Sequence, residues 1–375
     1  MKIVHVLSGL TKGGGERVVA ELANVALQNG DEVTIIAGWP VDPVYLQNDI
    51  NTGVNIKFVN STQKGAYFKI LPFIIKNRKW LCQQDVLHCH LTYGSVFGSM
   101  AYLYIKKILF KKSPSVFETY HAVGMPVPKF NRWFSSCMLL LRDGVIFMAK
   151  DTYWNNFITK HPNLKTAVIS NGISVVQPLK TILTKEAFRK DMNIPSNCTY
   201  VVGTVGMLRP DRKPELYIPI FKAVNEALGN QVHFVMAGGG SEFDNIRQLA
   251  DEAGIGELVH MPGIINNPAA FIVNIDVYVS VSVGETVGIS MIEAAMCNIS
   301  VVGIQLSDNY QAKETDWVWA GSNTSEIAAK ITYLLQNREE RKKIAYAQNV
   351  YATSNFTSAA MYKAYTSFYK KVMQG

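Results

Sequence analysis

Apolar residues fall in two series along the chain, each alternating short β-branched runs with stretches of helical spacing. Residues 2–9 (KIVHVLSG) form the first run, and a glycine-rich turn follows. RVVAELANVALQNG then spaces its apolar residues as a helix does and ends on Gly30, a suitable C-cap. DEVTIIAG (31–38) is the next run. A strand, a loop, a helix and a strand in that order open a parallel, doubly wound sheet. The unit recurs at VNIKFV (54–59), DVLHCHL (85–91), SVFETYHA (115–122), DGVIFMA (143–149) and TAVISNG (166–172). A second series starts near residue 199 with TYVVGTVGML. It continues through VHFVMAGGG (232–240), LVHMPGI (258–264), IDVYVSVS (275–282) and SVVGIQ (300–305).

Between the series, residues 172–197 are polar, hold two prolines and show no strong apolar period. The linker is expected there, near 172–198. The fold class that follows is α/β, with two Rossmann-like doubly wound domains over 1–172 and 173–357. Ligands in such sheets bind beyond the strand carboxyl ends, so a cleft between the domains is expected to hold the site. The last amphipathic stretch, within 358–375, is expected to pack back on the first domain.

A length of 375 residues with 48% hydrophobic and 18% charged content fits an ordinary globular protein of two domains. No apolar run approaches the roughly 18–20 residues of a membrane span. The opening MKIVHVLSGL makes a poor signal peptide and a good first strand. Five scattered cysteines read as reduced thiols in a cytoplasmic protein. The net charge of +8 is uneven. Residues 1–170 hold 19 Lys and Arg against 10 Asp and Glu, and residues 171–375 hold 18 against 19. The first half is therefore expected to meet something anionic. Its basic residues lie within apolar runs, AYFKILPFIIKNRKW (66–80) and AYLYIKKILFKKS (101–113), rather than in an exposed stripe. That disfavours nucleic acid and suits an anionic bilayer interface at the inner face of a membrane. The other reading makes the apolar residues core and the lysines an outer face.

Four segments carry candidate chemistry. GLTKGGGER (9–17) follows the first strand, and Gly13, Gly14 and Gly15 at a helix start suit a phosphate, though a plain tight turn needs the same glycines. VGMLRPDRK (205–213) places Arg209, Arg212 and Lys213 at a strand end, as a departing diphosphate requires and as a solvated basic turn also allows. His88, His90 and His121 fall at strand ends. The H-x-H pair turns both rings to one side without an evident third ligand, so zinc is disfavoured and both rings read as buried histidines. His121 reads as a polar substrate contact. In SVGETVGISMIEAAMCN (282–298), Glu285 falls in a loop and Glu293 on the helix after it, with the amides of Thr286, Val287 and Gly288 between them. The apolar neighbours of Glu293 favour a partnered carboxylate over a solvated one.

Together these segments resemble the retaining glycosyltransferases of family 4, which have the GT-B fold. The resemblance runs over nearly the whole chain, through GGGERVVAELANVALQNGDEVTII, DVLHCH, TYHA, VISNGI, VGMLRPDRK, VMAGGG and the E-x7-E pair of Glu285 and Glu293. It implies a nucleotide-sugar donor, UDP-sugar being the commoner case, held by the second domain. It also implies an acceptor held by the first, a glycan or a polyprenyl-diphosphate-linked glycan in surface polysaccharide assembly. No metal or other cofactor is required. Position by position, it implies that His121, Arg209, Lys213 and Glu285 serve the transfer. Gly14, Gly15, Asn171, Thr286, Val287, Gly288, Ile289 and Glu293 would bind the donor. Three departures stand out: Met207 where the family often has Arg, MCNISVV after the second glutamate, and LSDNYQAKE in place of a glycine-rich stretch. They leave open a non-catalytic sugar-nucleotide-binding relative; a sugar-nucleotide epimerase is a separate alternative that would need further catalytic acids in the cleft.

Overall fold

Every run of the two β-branched series folds as a strand, paired in parallel with its neighbours, whereas the lysine-bearing apolar runs at 66–80 and 101–113 are mainly helical. The computed structural model describes residues 1–10, 13–40, 49–121, 128–148, 152–175, 184–265, 267–283, 288–305 and 317–375. It divides into two compact units, Met1–Ser174 with Thr357–Gly375, and Val175–Phe356.

The first unit holds β1 (Lys2–Leu7), β2 (Glu32–Ala37), β3 (Asn55–Phe58), β4 (Val86–His90), β5 (Ser115–Tyr120), β6 (Gly144–Phe147) and β7 (Lys165–Val168). They lie in the order β3-β2-β1-β4-β5-β6-β7. Parallel neighbours need a crossover, and helices supply it: α1 (Gly14–Gln28), α2 (Ile70–Leu81), α3 (Leu91–Ala101), α4 (Lys129–Leu139) and α5 (Thr152–Lys160). Strands covered on both faces have no use for a polar side, and the central ones are buried along almost their whole length. The core on one face joins Val4, Val6, Leu87 and Val116 to Ile70, Ile74, Tyr93 and Phe97 of the helices.

The second unit repeats the plan with β8 (Tyr200–Val205), β9 (Val232–Ala237), β10 (Val259–Gly263), β11 (Val277–Val283), β12 (Ser300–Gln305) and β13 (Trp319–Gly321), in the order β10-β9-β8-β11-β12-β13. Its helices are α6 (Lys185–Asp191), α7 (Tyr217–Leu228), α8 (Phe243–Glu252), α9 (Pro268–Ile272), α10 (Ile289–Met296), α11 (Thr324–Gln336) and α12 (Arg338–Asn355). Part of the stretch expected as linker is in fact α6. Thr184 caps it by accepting from the Ala187 amide at 3.2 Å, and Phe188 packs edge-on against Phe271. Seven residues with one buried aromatic are too short to show a helical period.

The final helix, α13 (Ser358–Gln374), belongs to the first unit. Phe368 packs edge-on and Tyr369 at a tilt against Phe117 of β5, the Tyr365 hydroxyl lies 3.0 Å from Thr119 Oγ1, and Tyr369 bonds the His88 ring. Strand order in both sheets reverses beside the first strand, between β1 and β4 and between β8 and β11. Loops leave these two places in opposite directions, which is where such sheets take ligands.

Close approach of α3 to β1 depends on Gly94, where a Cβ would stand 2.4 Å from the Val6 carbonyl oxygen. Gly94→Ala is expected to cost about 3 kcal/mol of stability through overpacking against backbone that cannot yield. Thermal denaturation checks this, and a melting temperature unchanged within a degree contradicts it.

Candidate active site

At the reversal in the first unit, β1 feeds α1 through the glycine run. Gly13 is extended and caps α1 with no side chain, and the Glu16 carboxylate lies over it, 2.1 Å from where a Cβ would stand. A Cβ on Gly15 would lie 3.1 Å from Leu91 Cδ2 and 3.7 Å from His121 Nδ1. The start of α1, the end of β4 and the end of β5 therefore meet at one point. Gly14, Gly15 and His121 are all there. Asn171 stands after β7 on the segment whose Ile173 bridges to Thr357.

Behind His121 lies an arrangement that spacing alone did not reveal. His121 Nε2 is 3.2 Å from His90 Nδ1, and His90 Nε2 is 3.0 Å from His5 Nδ1. His5 is the polar position inside KIVHVL, and it meets His90 because β1 and β4 are neighbours. His88 serves a different network: its nitrogens bond Thr119 Oγ1 at 2.8 Å and the Tyr369 hydroxyl. His5, His88 and His90 do bring ring nitrogens within 4.8 Å of one another. The His88 and His90 rings nonetheless stack at 4.4 Å and 13°, so their in-plane lone pairs run side by side and do not converge. A zinc ion needs converging nitrogens at about 2.0–2.1 Å. The donor set suits hydrogen-bonded imidazoles, not a metal.

At the reversal in the second unit, the loop after β8 is pressed by the glycine run after β9. A Cβ on Gly238, at φ +148°, would sit 1.8 Å from the Gly206 carbonyl oxygen, so only glycine fits. Beyond it, Arg209 Nη2 bonds Asp211 at 2.9 Å and Lys213 takes a left-handed φ of 49°. A non-glycine residue there is strained, and such strain gathers at functional sites. The N-terminus of α10 is tied to β8: Ser290 Oγ donates to the Val205 carbonyl at 2.8 Å, and the Tyr278 hydroxyl lies 3.0 Å from that carbonyl and 2.8 Å from Ser290 Oγ. Gly288 caps the helix in an extended conformation and Ile289 begins it. Glu293 is only 3% exposed, so it is not a solvated surface acid. With burial, its charge helps push the Cys297 thiol up to about 12. Glu285, Thr286 and Val287 lie outside the described residues. Tyr278 and Ser290 escaped the sequence reading because a tyrosine in a strand and a serine at a helix start are ordinary in those places.

Two family models match the chain, glycosyltransferase family 4 over residues 12–177 and glycosyl transferases group 1 over 184–350. The chain belongs to the group 1, family 4 glycosyltransferases. This glycosyltransferase is 22% identical over its whole length to the O-antigen biosynthesis glycosyltransferase WclY of Escherichia coli, of which it covers 99%. It is 26% identical over 165 residues, 42% of its own length and 33% of the relative's, to a poly(ribitol-phosphate) alpha-N-acetylglucosaminyltransferase of Staphylococcus aureus. In fold it is similar to Anabaena HepE, solved in complex with UDP and glucose. The TM-score is 0.76 at 16% identity, over 99% of this chain and 100% of that one.

Burial holds His5 and His121 of the glycosyltransferase down to about 4. Burial, with the neighbouring imidazoles, keeps His88 and His90 well below the ordinary value. The fold therefore keeps these rings neutral where the unfolded chain takes up protons. Below pH 6.5 the unfolded state binds more protons, so stability falls as pH drops from about 6.5 towards 4 and is insensitive to these groups above 7. Calorimetry across pH 4–8 checks the sign, and a melting temperature flat from 7 to 4.5 contradicts it.

Proposed function

We propose that this glycosyltransferase moves a sugar from a UDP-sugar, with retention of anomeric configuration, onto a glycan or polyprenyl-diphosphate-linked acceptor in surface polysaccharide assembly. The observation that carries the reading is the β11–α10 junction: a helix start at the reversal of strand order, capped by Gly288, with a buried Glu293 one turn inside. A helix N-terminus favours a diphosphate, and a buried carboxylate accepts from hydroxyls. Glu293 then holds the nucleotide ribose, and Glu285 a hydroxyl of the transferred sugar. Thr286, Val287, Gly288 and Ile289 supply the amides between them. Arg209 and Lys213 meet the charge that develops on the leaving diphosphate, a role that needs no metal ion. Gly14, Gly15 and Asn171 complete the donor contacts, and His121 meets the sugar.

In the transfer, the acceptor oxygen forms a bond to the anomeric carbon on the face that the UDP leaves. The bond from that carbon to the phosphate oxygen breaks, and the departing phosphate takes the acceptor proton. The names of the O-antigen relative and of the UDP-and-glucose complex support donor class and pathway type.

A panel of UDP-, GDP- and ADP-sugars, read by thermal shift and nucleotide release, tests the reading. One UDP-sugar is expected to stabilise the protein and release UDP slowly, with EDTA without effect. Glu285→Gln is expected to lower turnover about a hundredfold, and Glu293→Gln to raise the donor KM about tenfold. Near-normal kinetics in both variants rule the assignment out, and a converted sugar still attached to its nucleotide marks an epimerase.

Membrane association is a second part of the proposal, favoured by side chains that the first unit leaves in solvent. Ile70 and Ile74 of α2 are core, but Phe68, Leu71 and Ile75 are exposed beside Lys69 and Lys76. Leu103, Ile108 and Phe110 are exposed among Lys107, Lys111 and Lys112. Exposed apolar residues rimmed by lysines suit an anionic lipid surface. Among the described residues no helix is long and apolar enough to cross a membrane. Lys106 bonds Asp143, so the test spares it. Liposomes with anionic lipid are expected to float the native protein and not the Lys107/Lys111/Lys112→Glu variant; no flotation of either removes the idea.

A further inference from the structure

We infer that His5, His90 and His121 form one hydrogen-bonded imidazole chain that fixes the tautomer of His121, so that its Nδ1 presents a lone pair to a substrate hydroxyl. The substrate half rests on the contact proposed for His121 above, whereas the chain itself rests on geometry. Two contacts, 3.2 Å and 3.0 Å, link the three rings end to end through Nε2 and Nδ1 of the middle one. His5 and His90 are buried, and all three rings stay neutral. A neutral imidazole has one donor and one acceptor, so the choice made by any ring dictates the other two. In one direction every ring carries its proton on Nε2: His121 donates to His90 Nδ1, and His90 donates to His5 Nδ1. In the other, every proton is on Nδ1.

Two features select the first direction. It gives all three rings the tautomer that a free imidazole prefers. It also turns a bare Nδ1 of His121 towards Gly15, in the first turn of α1, where the helix carries its positive end. A bare nitrogen there meets the partial positive charge of the helix end, in a turn whose Glu16 carboxylate lies over Gly13. The backbone beside the chain is also strained: Leu91, directly after His90, is held at a φ of 59° that a branched side chain rarely takes, and its Cδ2 reaches the Gly15 position. His5 and His90 are thus positioning residues acting through His121. His88, two residues from His90, is excluded from the chain because Thr119 and Tyr369 take both its nitrogens.

Nitrogen-15 NMR of protein labelled at the histidine rings tests this directly, with His5→Asn and His121→Gln for assignment. Between pH 6 and 8 all three rings are expected to be protonated on Nε2 alone. A proton on Nδ1 of any of them, or exchange between two tautomers, overturns the inference. His5→Leu is expected to release His121 into a tautomer mixture and raise the donor KM about tenfold, with kcat little changed. His5→Asn, whose amide oxygen sits where Nδ1 was, should recover most of that loss. If His5→Leu folds and leaves both the His121 signals and KM unmoved, the inference fails. If His5→Leu does not fold, the native and His5→Asn spectra decide. Saturating UDP-sugar is expected to shift the His121 Nδ1 resonance. A single Nε2–H tautomer that donor binding leaves unshifted refutes the substrate half and the His121 contact, while the chain of rings stands.

Discussion

Parallel pairing is the constraint on which the rest of this chain depends. Two parallel strands cannot be joined by a tight turn, so each pair needs a crossing segment, and the crossing segments cover both faces of the sheet. Covered faces demand apolar strands, which is why β1, β4 and β5 are buried along nearly all their residues. The same rule places every strand's carboxyl end on one edge. Where the order turns back, at β1/β4 and β8/β11, no crossover fills the gap. Functional side chains can gather there without disturbing the core below.

The strands were legible because a strand buried on both faces is written as a continuous β-branched run. β13 was not, since three edge residues with a central alanine make no such run. Helix α6 hid for the same reason of length. The candidate site was legible where local sequence makes the chemistry, as in the glycine turn before α1 and the carboxylate inside α10. It was illegible where chemistry arises across the sheet. His5 and His90 are 85 residues apart and meet only through the strand order. The burial of Glu293 fits its apolar neighbours in ISMIEAAM, whereas the bonds tying α10 to Val205 depend on β8 and β11 being adjacent.

One topology serves two electrostatic ends. The first unit gathers neutral imidazoles beside a helix start whose first turn also carries Glu16, and it buries one internal ion pair, Glu118 and Arg142, 2.6 Å apart. The second gathers Arg209, Arg212 and Lys213 on one side of its reversal and a buried carboxylate on the other. Neutral imidazoles suit hydroxyl groups, and a cluster of guanidinium and ammonium groups suits phosphates.

The first unit is discontinuous: its last helix follows the whole of the second unit in the chain. On a ribosome moving at about 5–20 residues per second, residues 175–375 take about 10 to 40 s to emerge after Ser174. Throughout that interval Phe117 and Thr119 lack the aromatic cover of α13, and one ring nitrogen of His88 lacks its tyrosine. The second unit has no such wait, because all its strands are contiguous. The half that begins synthesis first is thus the half whose cover is made last, because Phe117 and Thr119 meet their aromatic partners only once α13 has emerged.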